Sequence, residues 1–368
     1  MIVAFDSDIW SWQEAGGISR YFVALGKALE TLGHQVDVRA PVHVNGWLRE
    51  WKPANGIYLS NHLGESRSSE VFKKLLRRFN RSVENLTARK SDVMHHTAWY
   101  SDRSGRTPTV ITVHDCIWGC YPDGNYAFQG KRIRKVASEA DIVICPTDKT
   151  RRDAIKHIGL PNERVFVAHH GVPLFGRARV QGRTVAKQVA FVGPRWATYK
   201  NFTALLLALA HLKNVNLYCL GGEKPSEKER ALLANLGLTK RVKFKQICAD
   251  VDILDGYSTS AALVIPALEE GFGLPMLEAF SLGVPVIASE AEALVEVSGG
   301  AATHVDATQP EALAARIEQV IEDRKFSARL AQDGIKRAAD FSWAHSAKIH
   351  ETAYRMAIDV FHNSNERT

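Results

Sequence analysis

The sequence predicts two doubly wound parallel α/β domains in tandem, and three observations carry that prediction. Short apolar runs of strand length alternate with stretches of helical periodicity through most of the chain. The alternation lapses once, over 174–187 (LFGRARVQGRTVAK), which is polar, basic and non-periodic, and then resumes. At 368 residues the chain has room for about two domains. The expected boundaries are 1–173 for the first domain, 174–187 for the linker, 188–342 for the second domain and 343–368 for a terminal helix.

In the first domain, Ile2–Phe5 reads as a strand, followed by a loop rich in Ser, Trp and Gly that ends in Gly16–Gly17. Ile18, Phe22, Leu25 and Leu29 then recur at helical spacing until Gly33 stops the helix, and 35–39 is the next strand. Backbone N–H groups at such a glycine pair can approach an anion closely. A tight turn explains the same pair equally well. Residues 41–70 are polar and resist assignment. Further strands are expected at 92–96, 109–113, 141–145 and 164–169, with helices around 128–139 and 148–158. Histidines fall at strand ends: His95 and His96, His114 before Asp115, and His169 and His170 before Gly171. The carboxyl edge of a parallel sheet is where ligands bind. Most of these histidines are expected to be structural, with one touching substrate.

The second domain has expected strands at 188–193, 215–220, 241–246, 261–266, 284–288 and about 302–306. Helices are expected around 200–212, 225–236, 250–259, 275–282, 309–322 and 326–339. Its most informative stretch is Ala261–Ser289, AALVIPALEEGFGLPMLEAFSLGVPVIAS. This is strand, acidic glycine-punctuated loop, helix, turn and buried strand. Pro275 suits the start of the helix and Gly283 its left-handed end. Glu270 lies in the loop and Glu278 a turn into the helix. The other carboxyl-edge segment leaves the domain's first strand as FVGPRWATYKNF and carries Arg195 and Lys200. Two cations beside a helix N-terminus suit a diphosphate. A carboxylate that accepts two hydrogen bonds suits a ribose diol, and Glu278, held by the helix, is the better candidate for that clamp. Glu270 is nearer the expected place of a transferred group, and the backbone amides of Phe272, Gly273 and Leu274 can reach phosphate and sugar oxygens. Tandem sheets of this kind are expected to set two carboxyl edges across a cleft.

Composition narrows the class. The chain is 45% hydrophobic and 24% charged, as a globular protein with ample core requires. Five cysteines are few and irregularly spaced, without a second pair or His pair at metal-site spacing, so free thiols are expected rather than a zinc site. No charged-then-apolar leader is legible, and no apolar run approaches the roughly 20 residues of a membrane span. The expectation is a cytoplasmic protein, at most peripheral on the inner face of the cytoplasmic membrane. A net charge of +7 favours anionic partners. Over 71–90, Phe72, Leu75, Leu76, Phe79, Val83 and Leu86 form one apolar face with Lys and Arg on the others. That pattern fits a surface helix packing its stripe inward, and also a helix on an anionic membrane.

Together these motifs resemble the GT-B glycosyltransferases of the family-4 type, whose mark is two glutamates separated by seven residues. Glu270 and Glu278 have that spacing. GGISRYF at 16–22, TVHD at 112–115, HHGV at 169–172, the segment from Arg195 to Lys200, and FSW at 341–343 also resemble that family, in the right order. The resemblance implies two Rossmann-like domains and a retaining transfer from a nucleotide-diphosphate sugar to an acceptor hydroxyl, with no catalytic metal and no other cofactor. It implies that Arg195 and Lys200 bind the diphosphate, that Glu278 holds ribose and that Glu270 positions the sugar. Gly17, with Gly16, would approach the phosphates and His114 would lie near the sugar or acceptor. The terminal helix would cross back to the first domain. By analogy the donor is a GDP-linked, mannose-like hexose and the acceptor a surface glycan, free or lipid-linked. Two departures stand out: the segment from Arg195 to Lys200 is one residue longer than usual, and Ala267–Glu269 replaces a Ser-containing approach to Glu270.

Two other readings are open to the sequence. A nucleotide-sugar epimerase on the same fold would need an acid/base pair and no acceptor cleft. A non-catalytic carbohydrate or nucleic-acid binder would have no need of the four charged positions. No strand platform combines aromatic and basic residues for stacking bases, so nucleic acid is not an expected partner.

Overall fold

The computed structural model describes residues 1–14, 16–51, 56–59, 67–87, 90–98, 107–121, 124–172, 187–247 and 250–365. The chain forms two compact units, Met1–Gly171 with Ser342–Thr368, and Val172–Phe341. The expected linker 174–187 lies outside the described residues except for Lys187, as do Arg89 and Cys248.

The first unit runs β1 (Ile2–Phe5), α1 (Asp8–Trp12), α2 (Gly17–Thr31), β2 (Gln35–Val38), β3 (Val42–His43), α3 (Gly46–Trp51), β4 (Ile57–Tyr58) and α4 (Arg67–Thr87). It continues with β5 (Val93–His96), β6 (Thr109–Thr112), α5 (Ile117–Cys120), α6 (Gly124–Glu139), β7 (Ile142–Cys145), α7 (Asp148–Ile158) and β8 (Val165–Val167). Six parallel strands form the sheet in the order β2-β1-β5-β6-β7-β8. Alternate side chains feed opposite faces: Val110, Ile142 and Ile144 join one core cluster, and Ile111, Val143 and Cys145 the other. That two-sided burial is why these strands read as continuous apolar runs.

The second unit runs β9 (Gln188–Val192), α8 (Phe202–His211), β10 (Asn216–Leu220), α9 (Glu227–Asn235), β11 (Val242–Lys245), α10 (Asp250–Ser258) and β12 (Ala262–Ile265). It ends with α11 (Leu274–Ser281), β13 (Val286–Ser289), α12 (Glu292–Ser298), β14 (Thr303–Val305), α13 (Pro310–Glu322) and α14 (Arg324–Ala338). Its sheet is also six-stranded and parallel, in the order β11-β10-β9-β12-β13-β14. Val189 and Phe191 of β9 face one core cluster, while Ala190 faces the other. The doubly wound architecture expected from the alternation is therefore present in both units.

The last helix, α15 (Trp343–Asn365), belongs to the first unit, where it packs on α2, β5, β6 and β7. Ala347, Ala353 and Ala357 let it approach closely and are fully buried. Gly171 is where its incoming chain passes: a Cβ there would collide with the Trp343 backbone.

Short elements escaped the periodicity. The expected loop after β1 contains α1, too brief for an amphipathic pattern. Tertiary contacts hold it: the Asp8 and Ile9 amides donate to Asp6 Oδ1 (3.1 Å) and Thr97 Oγ1 (3.1 Å), and Trp10 is fully buried. Helix α3 and the β3–β4 pair likewise lie in the stretch that resisted assignment.

Helix α4 forms as expected but turns a different face inward. Leu76 and Asn80 are buried, whereas Leu75 and Phe79, expected inside, are exposed together with Val71. The cause is electrostatic. Asp8 is buried and takes a bidentate pair from Arg77 (Nε to Oδ1 2.6 Å, Nη2 to Oδ2 2.7 Å) and a third bond from Arg81 (3.0 Å). Lys73 reaches Glu14 at 3.1 Å. A buried carboxylate left unpaired would cost several kcal/mol, about as much as burying two apolar side chains contributes. The cations therefore rotate the helix. Among the described residues no helix is long and apolar enough to cross a membrane.

Candidate functional site

In the second unit the strand order reverses between β9 and β12, the switch point at which open α/β sheets bind ligands. The chain leaving β9 ends in a short 3-10 turn, Thr198–Lys200, and Asn201 follows it in the left-handed conformation (φ 53°) at the start of α8. The chain leaving β12 carries Glu270. Lys200 Nζ donates to Glu270 Oε1 across this junction, both side chains being largely buried. The Leu268 amide donates to the Tyr199 carbonyl (2.7 Å), fastening the two loops together by backbone. Of the four charged residues singled out, Lys200 and Glu270 are thus in direct contact.

Arg195 has partners distinct from those of Lys200. Its Nε donates to Glu229 Oε1 (2.8 Å), Nη1 to the Gly221 carbonyl (3.0 Å) and Nη2 to the Glu223 carbonyl. The guanidinium also lies 4.7 Å from the Phe244 ring centroid. The sheet order explains the divergence: β9 has β10 on one side and β12 on the other. Arg195 leaves β9 toward β10 and β11, and Lys200 toward β12. With its side chain only 3% exposed, Arg195 organises the turn after β10.

Glu278 is 2% exposed, inside α11. The Tyr257 hydroxyl, on α10, donates between Glu278 Oε2 (3.2 Å) and the Pro275 carbonyl (3.1 Å). The loop between the glutamates is rigid for a local reason. Phe272 is buried edge-on against Phe341 (6.0 Å, 79°). Gly273, at φ 87°, caps α11 where a Cβ would press on Leu294 at 2.6 Å. Leu274 opens the helix, so the α11 N-terminus, with its positive dipole end, lies at this edge. Among the described residues no cluster of His, Cys, Asp and Glu has metal-holding geometry.

The first unit gathers Gly16, Gly17 and His114 at its own carboxyl edge. Gly17 begins α2 in open space, but the third helical amide, Ser19 N–H, is already taken by Gln13 Oε1 (2.9 Å). Ile18, Thr97, Thr112, His114 and Asp115 line a concavity beside that N-terminus. Burial depresses the His114 pKa to about 4, helped by the charge His350 would carry, so this imidazole is neutral, and its Nε2 is buried with no protein hydrogen-bond partner. His95 and His96 are structural, as expected for most of the strand-end histidines. At the β1–β5 switch point His96 Nδ1 meets Asp6 Oδ2 (2.9 Å) and Thr97 Oγ1 donates to Asp6 Oδ1. Burial alone would raise the Asp6 carboxyl, but the His96 and Thr97 hydrogen bonds outweigh it and its pKa falls.

Glu229 and Tyr257 each hold a site residue, and His350 holds Tyr21, whose ring packs on His114; none of the four was assigned a role from sequence. Their hydrogen-bond partners lie 21 (Tyr257), 34 (Glu229) and 329 (His350 and Tyr21) positions away, so no local pattern marks them.

Residues 15–174 match the family Glycosyltransferase Family 4, and residues 178–337 match Glycosyl transferases group 1. The chain is a GT-B-fold glycosyltransferase. The D-inositol 3-phosphate glycosyltransferase of Corynebacterium efficiens is 26% identical to it, over 94% of this chain and 91% of that protein. The O-antigen chain mannosyltransferase B of Escherichia coli is 25% identical, over 67% of this chain and 70% of its own length. Among solved structures, Anabaena Alr3699/HepE in complex with UDP-glucose has the same fold, with a TM-score of 0.73 and 19% identity over 96% of this chain and 99% of that one. The glycosyltransferase thus carries both of its family's domains, and the Lys200–Glu270 contact lies in the second.

Proposed function

We propose that this glycosyltransferase moves a hexose, with retention, from a nucleotide-diphosphate sugar to a hydroxyl of a growing surface glycan of the O-antigen, capsule or exopolysaccharide type. The observation that carries the donor half of this reading is the Lys200–Glu270 pair at the β9–β12 switch point, with buried Glu278 one turn into the helix that follows. A diphosphate arriving there competes with Glu270 for Lys200. The ammonium turns to the phosphate, and the freed carboxylate accepts hydrogen bonds from the sugar. Glu278 is the ribose clamp, with Tyr257 holding it. The α11 N-terminus and the amides of the Phe272–Leu274 segment face the phosphate and sugar oxygens. Gly16 and Gly17 are donor-phosphate contacts in this reading, and His114, neutral, is a contact of the transferred sugar or the acceptor.

In the same-face mechanism the bond from the anomeric carbon to the phosphate oxygen breaks and the acceptor oxygen bonds that carbon from the same side. The departing diphosphate takes the acceptor's proton. Lys200 then stabilises the charge developing on the leaving group, the kind of preorganised electrostatics that commonly contributes most to rate. No metal is assigned a step in this reading. Arg195 is left outside the reacting set.

The donor nucleoside is proposed as uridine ahead of guanosine. HepE, one of the structures with a similar fold, is in complex with UDP-glucose. The mannosyltransferase relative supports mannose among the hexoses. Thermal-shift measurement with UDP, GDP and their sugars tests this. A ligand at about 100 times its Kd should add about 2.7 kcal/mol of stability, with UDP ahead of GDP and Glu278→Ala abolishing the gain. No shift with any nucleotide diphosphate would sink the donor assignment.

Helix α4 is proposed to rest on an anionic membrane surface. Val71, Leu75 and Phe79 are 58%, 57% and 53% exposed along one line of the helix, and Lys74 and Arg78 flank them in solvent. Each cation near such a surface contributes about 1 kcal/mol, and the apolar stripe adds to it. The protein should float with vesicles containing phosphatidylglycerol and not with phosphatidylcholine alone, and Leu75→Glu with Phe79→Glu should abolish flotation. Equal flotation with both lipids would refute the electrostatic part.

A further inference from the structure

A buried chain of hydrogen bonds runs through the first unit, and its direction follows from donors and acceptors alone. His350 Nδ1 lies 2.8 Å from the Ser346 carbonyl, which can only accept, so Nδ1 carries the proton and Nε2 is the acceptor. The Tyr21 hydroxyl, 2.6 Å away, must therefore donate to His350 Nε2. Tyr21 having used its proton, Thr112 Oγ1 donates to it at 2.9 Å. Thr112 then accepts from His95 Nε2–H (2.9 Å), which leaves His95 Nδ1 to accept from the Tyr354 hydroxyl (2.8 Å). The chain starts and ends on α15 and passes through β5, β6 and α2. Burial keeps its histidines neutral, His350 with a pKa of about 4 and His95 well below the ordinary value.

Tyr21 is the member that touches the site. Its ring meets His114 edge-on (4.9 Å, 88°) and His170 at 4.7 Å, and His170 stacks on Trp343 (6.1 Å, 15°). His114 thus packs against a ring whose hydroxyl end is held by His350, 329 residues further along the chain. We propose that Tyr21 and His350 are positioning residues for His114, so that α15 sets the aim of an imidazole at the carboxyl edge of the sheet. This rests on the reading in which His114 meets the sugar or acceptor. A phenylalanine at position 21 would fill the same space, so packing alone does not require the hydroxyl. What the hydroxyl adds is an anchor for the far end of the ring, an acceptor for the Thr112 proton and a donor to His350 Nε2, groups that would otherwise be buried unsatisfied.

Two measurements test this. Long-range 15N–1H correlation of the histidine side chains in the wild-type protein, with the His350 signal assigned by its loss in His350→Gln, should show the Nδ1–H tautomer at His350 and Nε2–H at His95. The Nε2–H tautomer at His350 would overturn the chain whatever the enzyme's activity. In steady-state kinetics, Tyr21→Phe and His350→Phe should lower kcat about tenfold, because a small misplacement of a reacting group is costly. Donor KM should stay within about twofold, and His350→Gln, whose amide oxygen can accept from Tyr21, should recover most of kcat. If Tyr21→Phe and His350→Phe keep kcat within about twofold while His114→Ala loses activity, the positioning role is wrong and the role of His114 stands. Unchanged activity in His114→Ala would instead remove the reading of His114, and the proposal with it.

Discussion

Lys200→Ala should lower kcat/KM for the nucleotide sugar by about 10²- to 10³-fold, the usual cost of deleting one preorganised group that stabilises developing charge. The Lys200 ammonium is the cation on the β12 side of β9, and its carboxylate partner Glu270 is 12% exposed at the side chain. Alanine removes the proposed leaving-group stabiliser and also leaves Glu270 without its partner where the donor diphosphate would sit. Both consequences oppose donor binding, so KM should rise as kcat falls. Lys200→Arg should recover only part of the loss, because a planar fork does not reproduce a compact ammonium. Kinetics with varied donor, alongside a melting curve to confirm folding, measure this directly. A folded alanine variant within about threefold of wild-type kcat/KM would remove Lys200 from the mechanism.

Arg195→Ala should show its main effect on stability. It deletes the partner of Glu229 and the donor to two backbone carbonyls, from a side chain 3% exposed. Breaking a buried pair on one side costs about 3 kcal/mol, which for a domain of this size lowers Tm by about 6–12 °C. Arg195→Met combined with Glu229→Leu should restore much of that loss, since neither charge is then left alone. Calorimetry on the single and double variants gives the comparison. If Arg195→Ala instead melts like the wild type and only weakens donor binding, the arginine is a phosphate ligand that leaves Glu229 when donor arrives.

These two cations show where sequence reading succeeds and where it stops. Both were legible as charged residues following a strand in a parallel α/β domain, a position that ensures proximity to the carboxyl edge. Their fates differ because one turns toward β10 and the other toward β12, and strand order is a property of the sheet. The same distinction governs α4. Its length and amphipathic pattern are written in 71–87, but its inward face is chosen by Asp8 and Glu14, which sit on another segment.

The sequence by itself determined the alternation that builds two parallel sheets, the left-handed Gly283 that follows α11, and the spacing of Glu270 and Glu278. Each is local, set by strand and helix periodicity or by a backbone conformation that only one residue type adopts at little cost. Only the tertiary structure decided that Lys200 pairs with Glu270, that Arg195 does not join them, and that a terminal helix reaches Tyr21 through His350. Such contacts depend on strand order and on burial, where a polar group must find a partner and the nearest one is often hundreds of residues away in sequence.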